Sequence, residues 1–144
     1  MANKCRRYQN PPYFAIGEVV ISLVDHPPHI KSGEYMTIVS HRAEKFYAVL
    51  LSNGELHRWF AQSELKPLNA VPYRGLDVGD CAVITNTFGH DPRLQNGMIV
   101  KIAKVISDEP IYDVRLTDGN YHRWLADFEL AHPIHYTCAE NTYY

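Results

Sequence analysis

The chain repeats itself. Residues 46–65, FYAVLLSNGELHRWFAQSEL, align without a gap to residues 111–130, IYDVRLTDGNYHRWLADFEL, and ten of the twenty positions are identical. Upstream, IGEVVIS at 16–22 matches VGDCAVI at 78–84, and SGEYMTIV at 32–39 matches NGMIVKIA at 96–103. The offset grows from 62 to 64 to 65, as small loop insertions in the second copy would make it. Self-similarity at a fixed spacing sets the number of structural units before any other pattern is considered. The 144 residues divide into an arm at 1–13, a first copy at 14–69, a linker at 70–75, a second copy at 76–133 and a tail at 134–144. Copies of about 60 residues are marginal as lone domains. With so short a linker between them, they are expected to pack as a fixed pair.

Each copy reads as all-β. Residues 18–24 are rich in β-branched side chains, and Gly17 stands just before them. A Pro/His loop at 25–32 leads to Gly33 and a second strand at 34–40, and residues 47–51 form a third. Asn53-Gly54, matched by Asp118-Gly119, is a strong hairpin signal before a fourth strand at 56–60. Residues 61–64 are too few for an α-helix and suit one 3₁₀ turn. A last short strand at 65–68 completes the plan, which the second copy repeats with a longer first loop at 86–96.

Five short strands with a 3₁₀ turn before the last resemble the SH3-like superfold used in Tudor and KOW-type modules. The residues that carry the resemblance are Gly17-Glu-Val, Gly33, Tyr47-x-Val-x-Leu, Asn53-Gly54, Trp59 and Glu64-Leu65. Gly79-Asp, Gly97, Tyr112-x-Val-x-Leu, Asp118-Gly119, Trp124 and Glu129-Leu130 repeat them. The resemblance implies two tandem five-stranded small barrels, with ligands met by the loops after the first strand and between the third and fourth. It does not specify the ligand, because such superfolds host many functions.

The string His-Arg-Trp occurs at 57–59 and at 122–124. A two-residue turn at Asn53-Gly54 would place Arg58 on the face of Tyr47, Val49 and Leu51. A three-residue loop with Gly54 in a left-handed bulge shifts the register by one. The second option is preferred: Trp59 then faces Tyr47, His57 faces Val49, and Arg58 and Arg123 point to solvent. An unpaired buried guanidinium would cost several kcal/mol. Trp59 and Trp124 read first as core, with an aromatic binding wall as the alternative. His57 and His122 read as hydrogen-bonded structural histidines.

Chemistry-bearing motifs are sparse. The chain has no Gly-rich phosphate loop, no Gly-x-Ser-x-Gly elbow and no His-Glu-x-x-His, which argues against an enzyme. His26-x-x-His29 and His132-x-x-His135 have ligand-like spacing, but no full metal set accompanies them, so neither a metal nor a cofactor is expected. Three cysteines, Cys5, Cys81 and Cys138, make no disulfide framework; Cys81 reads as a buried small hydrophobe, and the usage suits reducing cytoplasm. The first residues are basic without the apolar run of a signal peptide, and no stretch is apolar enough to span a bilayer.

A binding module is the reading these features favour, docking on a partner protein or a larger cytoplasmic assembly. The size suits a small accessory or regulatory protein such as a phage or mobile element encodes. The candidate contact residues are Phe88, His90 and Arg93 in the long second-copy loop, Arg58 and Arg123, His26 and His29, and Tyr13. Phe88 in a Gly/Pro loop reads as a hot-spot aromatic with Arg93 beside it. The alternative is RNA or DNA bound by KOW-like barrels and the basic arm, through Lys4, Arg6, Arg7, Arg42, Lys45 and Arg74. Net charge of −2 and a pI near 6.4 weigh against bulk electrostatic binding to nucleic acid. A Tudor-like aromatic cage for a cation is a third reading.

Overall fold

The computed structural model describes residues 14–69 and 75–133. Among these residues, ten strands and two 3₁₀ turns follow one another in chain order. The first copy supplies β1 (Val19–Ser22), β2 (Tyr35–Arg42), β3 (Phe46–Leu50), β4 (Leu56–Ala61), a 3₁₀ turn at Gln62–Glu64 and β5 (Leu65–Pro67). The second supplies β6 (Cys81–Ile84), β7 (Ile99–Ile106), β8 (Ile111–Leu116), β9 (Tyr121–Ala126), a 3₁₀ turn at Asp127–Glu129 and β10 (Leu130–Ala131). The elements follow the all-β plan of the sequence nearly residue for residue.

Their assembly does not follow the copies. One antiparallel sheet has the order β10-β1-β2-β8-β9, and the other has β4-β3-β7-β6-β5. Exchanging the copies turns one order into the other, so the two sheets are pseudo-symmetric. Neither 14–69 nor 76–133 forms its own five-stranded unit; each sheet takes two strands from one copy and three from the other. That corrects the expected division into two consecutive barrels. No ladder closes either sheet into a barrel among the described residues. The cause lies in the repeat itself. Tyr47-x-Val-x-Leu51 and Tyr112-x-Val-x-Leu116 are equivalent partners, so β2 pairs with β8 as readily as it could with β3, and β3 pairs with β7. The short links at 43–45 and 107–110 carry the chain from one sheet to the other instead of turning a hairpin.

The exchange creates three cores. Val20, Met36 and Ile38 of the first copy pack with Tyr112, Val114, Leu125 and Leu130 of the second. Tyr47, Val49, Phe60 and Leu65 pack with Ala82, Ile84, Val100 and Ile102. Between them lies a cluster that neither copy could form alone: Phe46, Ala48, Trp59, Ala61, Ile111, Trp124 and Ala126. The hairpin turns take the preferred three-residue form. Leu51 N–H donates to Glu55 O at 2.9 Å, Gly54 sits at φ 89°, and His57 faces Val49 as expected. The register then slips at the tryptophan. Tyr47 pairs with Phe60 and Ala48 with Arg58, so Trp59 is the bulged residue. It therefore joins the central cluster and not the Tyr47–Val49–Leu51 core. Cys81 also departs from expectation: it is half-buried, on the outer face of β6 opposite Lys101.

Candidate functional site

The two tryptophans are tied across the copies by buried carboxylates. Trp59 Nε1–H donates to Glu129 Oε1 at 2.9 Å, and Trp124 Nε1–H donates to Glu64 Oε1 at 2.7 Å. Each glutamate ends a 3₁₀ turn and accepts the backbone N–H three residues before it, from Ala61 or Ala126, at 2.9 Å. A histidine from the long loops completes each set. His26 Nε2 lies 3.0 Å from Glu129, and His90 Nε2 lies 3.1 Å from Glu64. Both ring nitrogens of His26 face acceptors, since Nδ1 lies 3.1 Å from the carbonyl of Arg58. Burial alone would raise the Glu129 carboxyl; the bond and charge of His26, with the Ala126 and Trp59 donors, hold it below the ordinary carboxylate value.

These six side chains are almost wholly buried. The carboxylate–imidazole pairs brace the fold, and His26 and His90 each also border a surface cleft. His26 and His90 are equivalent at an offset of 64, a correspondence that the His-x-x-His spacing hides. The signal was present as His-x-Pro-x-Ile at 26–30 and His-x-Pro-x-Leu at 90–94, with Ile30 and Leu94 each anchored in a core.

His122 breaks the expectation of a hydrogen-bonded histidine. Its ring is buried, lies 5.5 Å from His26, and neither nitrogen has a partner among the described residues. Burial, reinforced by the nearby His26, His90 and His29, holds its pKa down to about 3. The unfolded chain takes up that proton near the ordinary value of about 6.5. The contribution to stability is therefore complete above pH 6.5 and is lost as pH falls below it. Stability should drop by about 2 kcal/mol more between pH 8 and pH 5 in the native protein than in His122→Leu. Equal slopes in denaturant melts of the two would refute the assignment.

The open sites lie at the loop end and on the sheet faces. Phe88 is 52% exposed and Tyr121 41%, with ring centroids 5.8 Å apart and tilted by 42°. With His29 and Pro92 they border an open cleft of about 410 Å³. Gly89 sets this geometry. Its φ is 79°, a Cβ there would come within 2.8 Å of the Arg123 side chain, and its carbonyl accepts from Arg123 N–H at 2.7 Å. The loop thus lies directly on β9.

Arg93 is not beside Phe88. It binds Asp91 at 2.7 Å and Glu55 at 3.3 Å, in a separate cleft with His57 and Arg58. The Arg93 bond holds the Asp91 carboxyl below its ordinary value. Arg123 takes the place expected of Arg93: its guanidinium lies 4.9 Å from the Phe88 ring and 4.9 Å from Trp124. It is largely buried and paired with Asp113 at 3.1 Å, so it does not face solvent freely. Arg58 does face solvent. His29 is exposed in the Phe88 cleft, which His90 also borders; His26 borders the Arg93 cleft, and both of these histidines bind the buried glutamates. Arg42 lies 5.0 Å over Trp124 and donates to Ser63, and Lys45 lines the groove between the two crossing links. Tyr13, Lys4, Arg6, Arg7 and Arg74 lie outside the described residues. Among the described residues, no group of three or more His, Cys, Asp or Glu is placed to hold a metal ion, and no helix is long and apolar enough to cross a membrane.

No family model and no curated protein matches the chain. Solved structures do. A crystal structure of a DUF1541 family protein, ydhK of Bacillus subtilis, is similar at 21% identity and a TM-score of 0.61, over 88% of each chain. The solution structure of the ydhK C-terminal domain gives 20% and 0.62, over 85% of this chain and 96% of that one. A further ydhK crystal structure gives 21% and 0.58, over 82% and 99%. At these identities the likeness is one of fold.

Proposed function

We propose that the protein is a non-catalytic binding module, built of two SH3-like units that share their strands, which docks on a partner protein through the loop end at Phe88. The observation that carries this reading is the Phe88–Tyr121 pair. Two large rings, each about half exposed, stand together on a backbone pinned by Gly89. Aromatics held rigidly beside an arginine are the residues that dominate protein interfaces. The cleft they border suits an apolar or proline side chain of the partner. An aromatic cage for a cation is less well supported, because Arg123 already occupies the face of Phe88. The buried Glu–His pairs favour a structural role over an acid–base one.

The test is affinity purification of tagged full-length protein, with and without nuclease. A stoichiometric protein should survive nuclease, and Phe88→Ala or Tyr121→Ala should weaken its binding by roughly 2 kcal/mol, about thirtyfold. Both rings are exposed, so neither variant should unfold. Recovery that collapses with nuclease, or a partner indifferent to both variants, would overturn the reading.

A further inference from the structure

The outer face of the second sheet differs sharply from the loop end. The strand registers place Arg58 of β4, Lys101 and Lys104 of β7 and Lys66 of β5 on it together. Between them lie the exposed aliphatic side chains of Leu50, Leu56 and Ile99. Among the described residues no Asp or Glu belongs to this face, although the chain as a whole carries a charge of −2. Arg58 and Lys104 both pair with Ala48, so they stand two strand spacings apart, about 9–10 Å. Neither side chain has a hydrogen bond or ion pair among the described residues. Between them opens a cleft of about 320 Å³, with Trp59 in its wall and Leu56 and the half-exposed Phe128 on its rim.

The duplication supplies an internal control. The equivalent place on the first sheet has Asp113 where this one has Ala48, Arg123 for Arg58, and Ser63 for Phe128. There, Asp113 neutralises Arg123 at 3.1 Å, while Arg42 covers Trp124 and binds Ser63 Oγ at 3.0 Å. That half fills its own cleft with a carboxylate and a second arginine. The other half leaves the same cleft open and its cations without a counter-charge.

We propose that the outer face of the second sheet binds an extended acidic segment of a partner polypeptide, whose carboxylates meet Arg58, Lys104 and Lys101 and one of whose apolar side chains enters the cleft beside Trp59. Charge complementarity fixes the sign of the ligand. The interleaved aliphatics favour a polypeptide over a nucleic acid. Leu50, Leu56 and Ile99 offer nothing for bases to stack on, Trp59 is sealed at 2% exposure, and Phe128 is the one exposed ring at the cleft. An extended chain that alternates acidic and apolar residues matches the alternation of cation and aliphatic across the strands. This surface is separate from the Phe88 loop end, and the inference does not depend on the reading of that site.

The test uses the full-length protein and a fluorescein-labelled peptide that alternates Glu with Leu and carries one central Phe. A Gln-for-Glu peptide, a single-stranded RNA of similar length and phosphatidylglycerol vesicles run beside it. The acidic peptide should bind at low salt, more weakly as salt rises, and at least about tenfold more tightly than the Gln peptide. Arg58→Glu with Lys104→Glu should abolish that preference. Ala48→Asp, which copies the neutralised half, should weaken binding by about tenfold; because Ala48 is buried in the central cluster, its melt is recorded beside the binding, and the reversals at the exposed Arg58 and Lys104 decide the proposal if it unfolds. Phe88→Ala should leave peptide binding intact. No binding of the acidic peptide, binding indifferent to the charge reversals, or tighter binding of the RNA or the vesicles would each overturn the proposal.

Discussion

Replacing either buried carboxylate with alanine, Glu64→Ala or Glu129→Ala, should destabilise the protein by about 3–5 kcal/mol. Each substitution strands several buried donors at once. Without Glu64, Trp124 Nε1–H, Ala61 N–H and His90 Nε2 lose their acceptor in an environment that water does not reach. Without Glu129, Trp59 Nε1–H, Ala126 N–H and His26 are left in the same state. A buried donor without a partner costs about 1–3 kcal/mol, so the sum over three exceeds the worth of any single bond. Glutamine keeps one acceptor oxygen in place and should recover a substantial part of the loss. A fall of roughly 10 °C or more in Tm for the alanine variants, with glutamine intermediate, is the expected pattern. Alanine variants as stable as the native protein would show that the carboxylates do not brace the central cluster.

The reason for so large an effect is that each carboxylate bridges the two copies. Trp59 of the first copy donates to Glu129 of the second, and Trp124 of the second donates to Glu64 of the first. These bonds run through the cluster that strand exchange creates. Burying a tryptophan removes about 200 Å² from water, but its indole N–H then needs a fixed acceptor. The shared Trp and Glu of the repeat are thus one device, written twice and closed crosswise.

Local features were legible because local chemistry determines them. Asn53-Gly54 and Asp118-Gly119 demand a turn with positive φ, and both glycines adopt it. Residues 61–64 leave room only for a 3₁₀ turn, and Gln62–Glu64 forms one. The pairing of strands was not legible. When β3 and β8 carry the same Tyr-x-Val-x-Leu pattern, the pattern that predicts a partner for β2 cannot choose between them. Only the packing of Phe46, Ile111 and the two tryptophans at the crossing decides it, and that is a long-range term. The register slip at Trp59 was hidden for the same reason, since a bulge there is stabilised by the other copy's glutamate.

The candidate sites divide along the same line. Exposure of Phe88 followed from its polar Gly/Pro loop, a local property. Its neighbour did not, because Arg93 is drawn off by Asp91, two residues before it, and Arg123 arrives from β9. The cationic face of the second sheet was invisible for a different reason. Arg58, Lys66, Lys101 and Lys104 come from three strands and both copies, and only the observed sheet order brings them to one side. Read linearly, the second copy is the more acidic half; folded, two of its lysines complete a face without any acid.

Strand sharing makes a prediction about the halves that no pair of consecutive domains would meet. A chain ending near residue 69, or one beginning near 75, lacks the partner strands for both central ladders, β2 with β8 and β3 with β7. Each half is left with two separate two-stranded pairings, β1 with β2 and β3 with β4 or their equivalents. Isolated two-stranded pairings are marginal at best in water. Neither half alone should show a cooperative unfolding transition as a monomer. Mixed in equal amounts, the halves should reassemble, because the contacts between them include both cross-copy Trp–Glu bonds and all of the central cluster. Their melt should then sharpen and become concentration-dependent, as mass action requires of a folded state that needs two chains. The pseudo-symmetry adds a second outcome of the same kind: a half at high concentration could borrow strands from its own copy and form a symmetric pair, again only through association. A single half that folds cooperatively as a monomer, as stably as the whole, would contradict the exchanged pairing outright. Circular dichroism melts combined with sedimentation of each half, and of the mixture, decide between these outcomes.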